Sequence, residues 1–441
     1  MDENKLEAQA AAGGSIAPNL PRKKPFSTDW REKTAAFVMY FAAYLYISLF
    51  VNWDLTWQQF RIGLVIFAAL LVGLTELVHW ERRRSWESWV WLGCLTVITV
   101  CTALKRFTVW GFGCSVWFLH ICAVWWVMSR SGCLAEGETG HLIPLDGLNG
   151  FIVFPFKHFF LRIRTAFDSV VSLFRRTRRR AKAETLVWTL AALAAACGLF
   201  ALAFSLLMAA DDHFAGIFSG VADFFRHLKL PDEKYVFFFV LSLPVGAWLF
   251  GLISGTGREN RIQLKARGAA LVRWLERLRK VPNRVWTVLL GAFCLLYLLF
   301  FVIQGQYLFG AFTRTLPEGF VVAEYARQGF FELCRVMAVN FVLLWLVARL
   351  SRTTVREDKP ALVCSLLLLV ESMLLAVVAF SKLMLYISCF GFTPLRFQSS
   401  WLVCVLFFGC ICAGYSLVTG KKSFKIWVMA AAVSLTALYL F

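Results

Sequence analysis

Glu76, His120, Glu332, Arg335, Glu371 and Lys382 stand inside long apolar runs of this chain. An ionised group at the centre of a bilayer costs about 2.5–3.5 kcal/mol on insertion scales. It is kept where it pairs, lines a path or binds something. Glu332 and Arg335 lie in the run 329–350, and Glu371 and Lys382 in the run 361–386. At about 100° per residue, Glu324, Tyr325, Gln328, Glu332 and Arg335 fall on one side of a helix. Glu371 and Lys382 also share a face, separated by roughly 16 Å of helical rise. With the first helix running inward and the second outward, Glu332 and Lys382 reach similar depth near the outer end and are expected to face each other. Glu371 is deeper, with Arg335 its nearest candidate partner about two turns away. Arg396, in the loop after the second run, joins the same patch. Glu324, Arg327, Glu332, Arg335, Lys382 and Arg396 then form a net positive pocket suited to a lipid phosphate or a carboxylate. A buried ion-pair network that only fixes helix packing accounts for the same residues. Glu76 lies near the inner end of its run and can snorkel. His120 reads as a helix-packing residue.

Other chemistry finds little support. No Walker-type loop is present, and Gly255-Thr256-Gly257 is followed by Arg258-Glu259-Asn260 with no third glycine. Neither G-x-S-x-G nor H-E-x-x-H occurs. Asp211-Asp212-His213 is read as a helix boundary rather than a metal site. Most of the 13 cysteines, among them Cys94, Cys122, Cys197, Cys294 and Cys404, lie in apolar segments and read as small buried hydrophobes. Cys410 and Cys412 form a C-x-C inside an apolar run with no histidine nearby in sequence. No catalytic residue, metal ligand or cofactor is assigned.

The elements that must position these residues follow from composition. The chain has 441 residues, 59% of them hydrophobic, with 43 Phe and 18 Trp. Soluble domains are nearer 45–50% apolar, roughly. A hydrocarbon core of about 30 Å needs about 20 apolar residues per crossing. Candidate spans fall at 34–51, 60–79, 87–104, 108–128, 186–209, 235–254, 285–304, 329–350, 361–386, 399–418 and 425–441. The expected fold is all-α: a polytopic transmembrane helical bundle of about eleven spans. The organisation reads as a polar cytoplasmic tail at 1–33, spans at 34–128, a cytoplasmic loop at 129–185, spans at 186–254, a basic loop at 255–284 and spans at 285–441. The first apolar run follows a polar tail and precedes no small-residue cleavage site, so it reads as a retained span.

The net charge of +19 is explained by orientation rather than by nucleic acid. With the N-terminus cytoplasmic, 35 of the 46 Lys and Arg fall in inner segments, as the positive-inside rule requires. Eleven spans place the C-terminus outside. Two inner loops are amphipathic. Phe156, Phe160, Ile163, Phe167, Val170, Val171 and Phe174 recur at helical spacing, the pattern of a helix lying in the membrane interface. Arg175, Arg176, Arg178, Arg179, Arg180 and Lys182 follow and suit anionic lipid headgroups, although a topology signal with a surface anchor explains them as well. In 258–284, Leu264, Leu271, Leu275 and Leu278 make an apolar stripe against Arg261, Lys265, Arg277 and Lys280, and Pro282 ends the helix.

The run Glu324-Tyr325-Ala326-Arg327-Gln328-Gly329-Phe330-Phe331-Glu332-Leu333, with Asn340 and the later Tyr386 and Gly391-Phe392-Thr393-Pro394-Leu395-Arg396, resembles a bacterial family known as domain of unknown function 4153, with its relative 4173. The motif covers about 324–396. Leucine is usual in that family where Phe392 stands here. The resemblance implies a bacterial multi-pass protein of the cytoplasmic (inner) membrane with no assigned activity, and further sequence after the last span. The leading functional expectation is a transport-type protein for a small or lipidic anion, drawing on an ion gradient. A non-catalytic sensor or assembly partner that binds another protein, and a lipid-modifying enzyme using Glu332 or Glu371 as base, are the alternatives. The partners implied are membrane lipids, with anionic headgroups on the cytoplasmic side.

Overall fold

The computed structural model describes residues 28–105, 109–174, 232–303 and 322–440, with scattered helical positions between 189 and 203. Among the described residues every regular element is a helix. Four long apolar helices come first: α1 (Trp30–Val51), α2 (Trp57–Val78), α3 (Trp86–Leu104) and α4 (Val109–Ser131). Three short pieces follow, α5 (Ile143–Leu148), α6 (Phe154–Lys157) and α7 (Leu161–Phe174), with a π-helical turn at Asn149–Val153. Next come α8 (Glu233–Arg258), α9 (Arg261–Glu276), α10 (Asn283–Ile303), α11 (Val322–Leu350), α12 (Lys359–Phe390), α13 (Pro394–Thr419) and α14 (Phe424–Leu438).

Nine of these, α1 to α4, α8 and α10 to α13, are long and apolar enough to cross a membrane. Most of the expected span at 186–209 lies outside the described residues. The expected span at 425–441 is shorter than foreseen: α14 has 15 residues, about 22 Å of rise against a hydrocarbon core of about 30 Å. Sequence-local signals set several ends. Thr56 and Gln59 form a reciprocal capping box at the start of α2. Asp358 caps α12 and Thr393 caps α13, each ahead of a proline in the first turn.

Helices α1 to α4 and α8 pack into one group around Met39, Leu64, Leu95, Trp126 and Phe250. Helices α10 to α13 form a second, around Leu290, Met337, Val347, Leu368, Leu375 and Val378. α14 joins them. Its Met429 and Ala432 bury in the first core, while its Trp427 stacks on Phe341 of α11 and donates to the Val405 carbonyl of α13.

Ion pairs gather alternate helix ends on one face. Arg31 at the start of α1 meets Glu81 after α2. Glu32 of α1 pairs with Arg258 at the end of α8. Arg130 at the end of α4 grips Glu76 at the end of α2. Lys425 of α14 meets Glu87 of α3 and Glu138. On the opposite face, Lys234 at the start of α8 pairs with Asp54 between α1 and α2. There too Lys105 after α3 donates to the Tyr439 carbonyl after α14.

The first amphipathic segment differs from a single continuous helix. It breaks at His158–Phe160, where Lys157 and His158 turn to the Glu259 carboxylate. Phe156, Phe160 and Ile163 are exposed, whereas Arg162, Thr165 and Ser169 are buried against the bundle. α9 buries Leu264 and Gly268 over the Leu134–Gly137 turn. A Cβ at position 268 would lie 2.6 Å from the Ala135 carbonyl oxygen, so only glycine allows this approach. Leu278, expected in the stripe, is exposed instead, because α9 ends at Glu276 and the chain turns toward Pro282.

Candidate functional site

Glu371 lies in the thirteenth position of the 32-residue α12, near the middle of the second helix group. Its residue is 7% exposed. Its carboxyl sits against the Cys294 thiol of α10 rather than Arg335. Tyr297, one turn along α10, donates its hydroxyl to the Asn340 Oδ1 of α11 at 2.6 Å. Asn340 Nδ2 donates to Ser372 Oγ of α12 at 2.9 Å, and Ser372 donates to the Leu368 carbonyl at 2.7 Å. Three helices thus contribute to one polar cluster, with Leu290, Leu343 and Leu368 buried around it. Helical spacing makes this possible: Tyr297 follows Cys294 by three residues, so both point to the same neighbour.

Lys382 lies eleven residues further along α12 and is 0% exposed. The Glu332 carboxylate of α11 is a charge that opposes it. Glu332 and Arg335 are both exposed on α11. Arg396 is drawn into its own turn: its guanidinium donates to the Phe390 carbonyl at 2.8 Å and to Gly391, and stacks 4.1 Å from the Tyr386 ring centroid. It therefore closes the α12–α13 corner. The side chains of Glu324 and Arg327, and all of Arg175, Arg176, Arg178, Arg179, Arg180 and Lys182, lie outside the described residues, as does Asp211-Asp212-His213.

A second polar concentration occupies the face where the ion pairs gather. Arg130 is 2% exposed and donates to both Glu76 oxygens, to the His79 carbonyl and to the Arg82 carbonyl. Arg82 in turn donates to the carbonyls of Ser131, at 2.6 Å, and Gly257. Glu76 is thus the anchor of a buried arginine, a role its position near a helix end did not reveal. Glu87 is equally enclosed: the Thr139 backbone and hydroxyl donate to it, and Lys425 lies 3.3 Å away. Asp146, buried in α5, accepts from the Ala135 amide at 2.7 Å through one oxygen. Burial, with the nearby Glu136 and Glu87 charges, pushes its carboxyl up to about 7 against the pull of that amide. Glu259 shows the reverse. Hydrogen bonds from His158 and Lys157 outweigh its burial and hold it down to about 2.

His120 is used in packing, with Nε2 at 2.9 Å from the Tyr46 hydroxyl and Nδ1 at 2.7 Å from the Val116 carbonyl. Among the described residues no three His, Cys, Asp or Glu side chains converge as metal ligands do.

No curated protein and no solved structure matches the chain. One family model does, and it reaches from inside α3 to the C-terminal residue, far beyond the motif around Glu332 and Arg396 and over both polar concentrations except for Glu76, His79, Arg82 and Glu87. Matched over residues 92–441, this many-helix membrane-type chain belongs to the family described as Domain of unknown function (DUF4153).

Proposed function

We propose that the chain is a transport-type protein of the bacterial inner membrane, with its N-terminus cytoplasmic, that handles a small or lipidic anion at a site between α11 and α12. The observation that carries this reading is the Lys382 ammonium, wholly enclosed on the same helix face as the buried Glu371 carboxyl. Holding a cation and an acid inside an apolar bundle costs stability, and membrane proteins keep such groups chiefly where ions or substrates bind or pass. The net positive charge of Arg335, Lys382 and Arg396 against Glu332 favours an anionic guest.

The test is native mass spectrometry of protein gently extracted from its own membrane, as wild type and as Glu332→Gln combined with Lys382→Met. Transport of an anion predicts a small or lipidic anionic ligand held by wild type and lost in the double variant. A stoichiometric protein partner with no charge-dependent ligand would replace this reading with that of a sensor or assembly factor. The exposed basic surface of α9, with Arg261, Lys265, Arg267 and Arg273, favours that second reading.

A further inference from the structure

We propose that Glu371 is a proton-binding site at mid-membrane, protonated at rest and exchanging its proton with water during the protein's working cycle. This deepens the transport reading by naming the coupling ion, and rests on that reading only for the use made of the proton.

Depth is the first argument. The 32 residues of α12 span about 48 Å, more than a hydrocarbon core of about 30 Å. Glu371 stands about 18 Å from the start of the helix, about 6 Å from its middle. With α12 centred in that core, Glu371 lies about 9 Å inside the nearer edge, beyond the reach of a glutamate side chain.

Partnership is the second. One Glu371 oxygen, Oε2, is buried and has no hydrogen-bond partner among the described residues. Among the described residues the groups around the carboxyl are neutral. From α10 it meets Cys294, whose thiol donates to the Cys364 carbonyl at 3.5 Å, and Tyr297, whose hydroxyl is committed to Asn340. From α11 the nearby polar group is Asn340, itself committed to Ser372. On α12 the charged group of the same face is Lys382, roughly 16 Å along the axis, with the Cys364 side chain two turns the other way. α13 contributes the buried Cys410 thiol to the neighbouring core. A carboxylate with an open oxygen and no adjacent cation is strongly disfavoured in such surroundings, so the group carries its proton.

Redundancy is the third. Tyr297, Asn340 and Ser372 satisfy one another without Glu371. The one described donor that meets the carboxyl, the Cys294 thiol, also reaches the Cys364 carbonyl, and a leucine or methionine at 371 would fill the same space without a titratable group. The acid is therefore not the structural keystone of the cluster; the cluster is polar lining beside the acid. Uptake forms one O–H bond on the carboxylate from a hydronium ion, leaving water. Release breaks that bond and returns the proton to water, so the step needs no oxidant or reductant.

The experiment is infrared spectroscopy of the full chain in lipid nanodiscs, as wild type, Glu371→Gln and Glu371→Asp, titrated in H2O and D2O. The expected result is a carbonyl stretch of a protonated carboxylic acid at neutral pH that is lost in Glu371→Gln. It should shift in D2O, disappear reversibly at alkaline pH, and persist at a displaced frequency in Glu371→Asp. Absence of the band at neutral pH in wild type, a band that neither shifts in D2O nor titrates, or its removal by sodium at constant pH would each overturn the proposal. Should Glu371→Gln fail to fold, the wild-type titration and Glu371→Asp still decide. The two readings fail separately. A titrating Glu371 band in a protein with no charge-dependent anion sinks anion transport and leaves the proton site. A bound anion beside an ionised Glu371 does the opposite.

Discussion

Asp146 and Glu259 lie on the same face and respond to pH in opposite senses. Asp146 has a folded value raised from 3.8 to about 7, so the native state holds a proton that the unfolded chain releases. Its contribution is fullest below pH 3.8 and is lost as pH rises toward 7, by at most about 4 kcal/mol at about 1.4 kcal/mol per unit. Glu259 has a folded value lowered from 4.5 to about 2, so its contribution is present above pH 4.5 and is lost as pH falls toward 2. Asp146→Asn is therefore expected to raise the thermal midpoint relative to wild type more at pH 8 than at pH 5. Glu259→Gln should lower it at pH 8, with the gap narrowing below pH 4.5 and closing only near pH 2. Equal offsets at all pH values in thermal-shift measurements would contradict both assignments. At this scale the sequence disclosed what is chemically conspicuous. Glu371 and Lys382 stand out because charge is rare in apolar runs. Tyr297, Ser372 and Cys294 do not, because hydroxyls and thiols are ordinary inside spans, and only adjacency of three helices marks them. Arg130 and Glu76 were separated by 54 residues, and nothing local tied them together.

The helices themselves were legible because length and hydropathy need no partner to be recognised. Each described long helix coincides with an expected apolar run to within several residues, and the caps at Thr56, Asp358 and Thr393 are local. What hydropathy could not supply is the surface on which an amphipathic helix rests. α9 is expected to use a leucine stripe ending in Leu278, but Gly268 brings it close over the Ala135 carbonyl. A glycine in a helix reads as a weak former, and its value appears only when another backbone lies against it. Gly268→Leu should therefore lift α9 from the Leu134–Gly137 turn, costing about 1–3 kcal/mol as overpacked sites do. Limited trypsin digestion is the measure, since Arg261, Lys265, Arg267 and Arg273 all lie on this helix. Faster cleavage within α9, with the rest of the chain unaffected, is the expected outcome; unchanged digestion would show that α9 is not held there.

Among the described residues, the helix ends that flank the basic connections of the sequence are also the ends that pair with one another. Lys and Arg concentrate in every second connection of the sequence. In the structure the ends flanking those connections meet each other: α1 start with α2 and α8 ends, α2 with α4, α3 with α14. The opposite ends meet through Asp54 with Lys234 and Lys105 with Tyr439. Packing forces do not know where the cytoplasm is, whereas the positive-inside bias acts during insertion. Their agreement predicts that the face carrying Glu81 and Arg352 is cytoplasmic and that Asp54 and Phe392 face the other side. All four side chains are exposed. Single cysteines at these positions, in a background with the exposed Cys114, Cys389 and Cys404 replaced by serine, should sort into two classes with a membrane-impermeant maleimide. In inverted vesicles Glu81→Cys and Arg352→Cys should label; in intact spheroplasts Asp54→Cys and Phe392→Cys should. Labelling of Glu81→Cys and Arg352→Cys from opposite sides would break the shared face itself, because α2 and α11 would then no longer end together. Reversal of all four would keep the fold and overturn only its orientation, leaving the basic loops to be explained by something other than insertion.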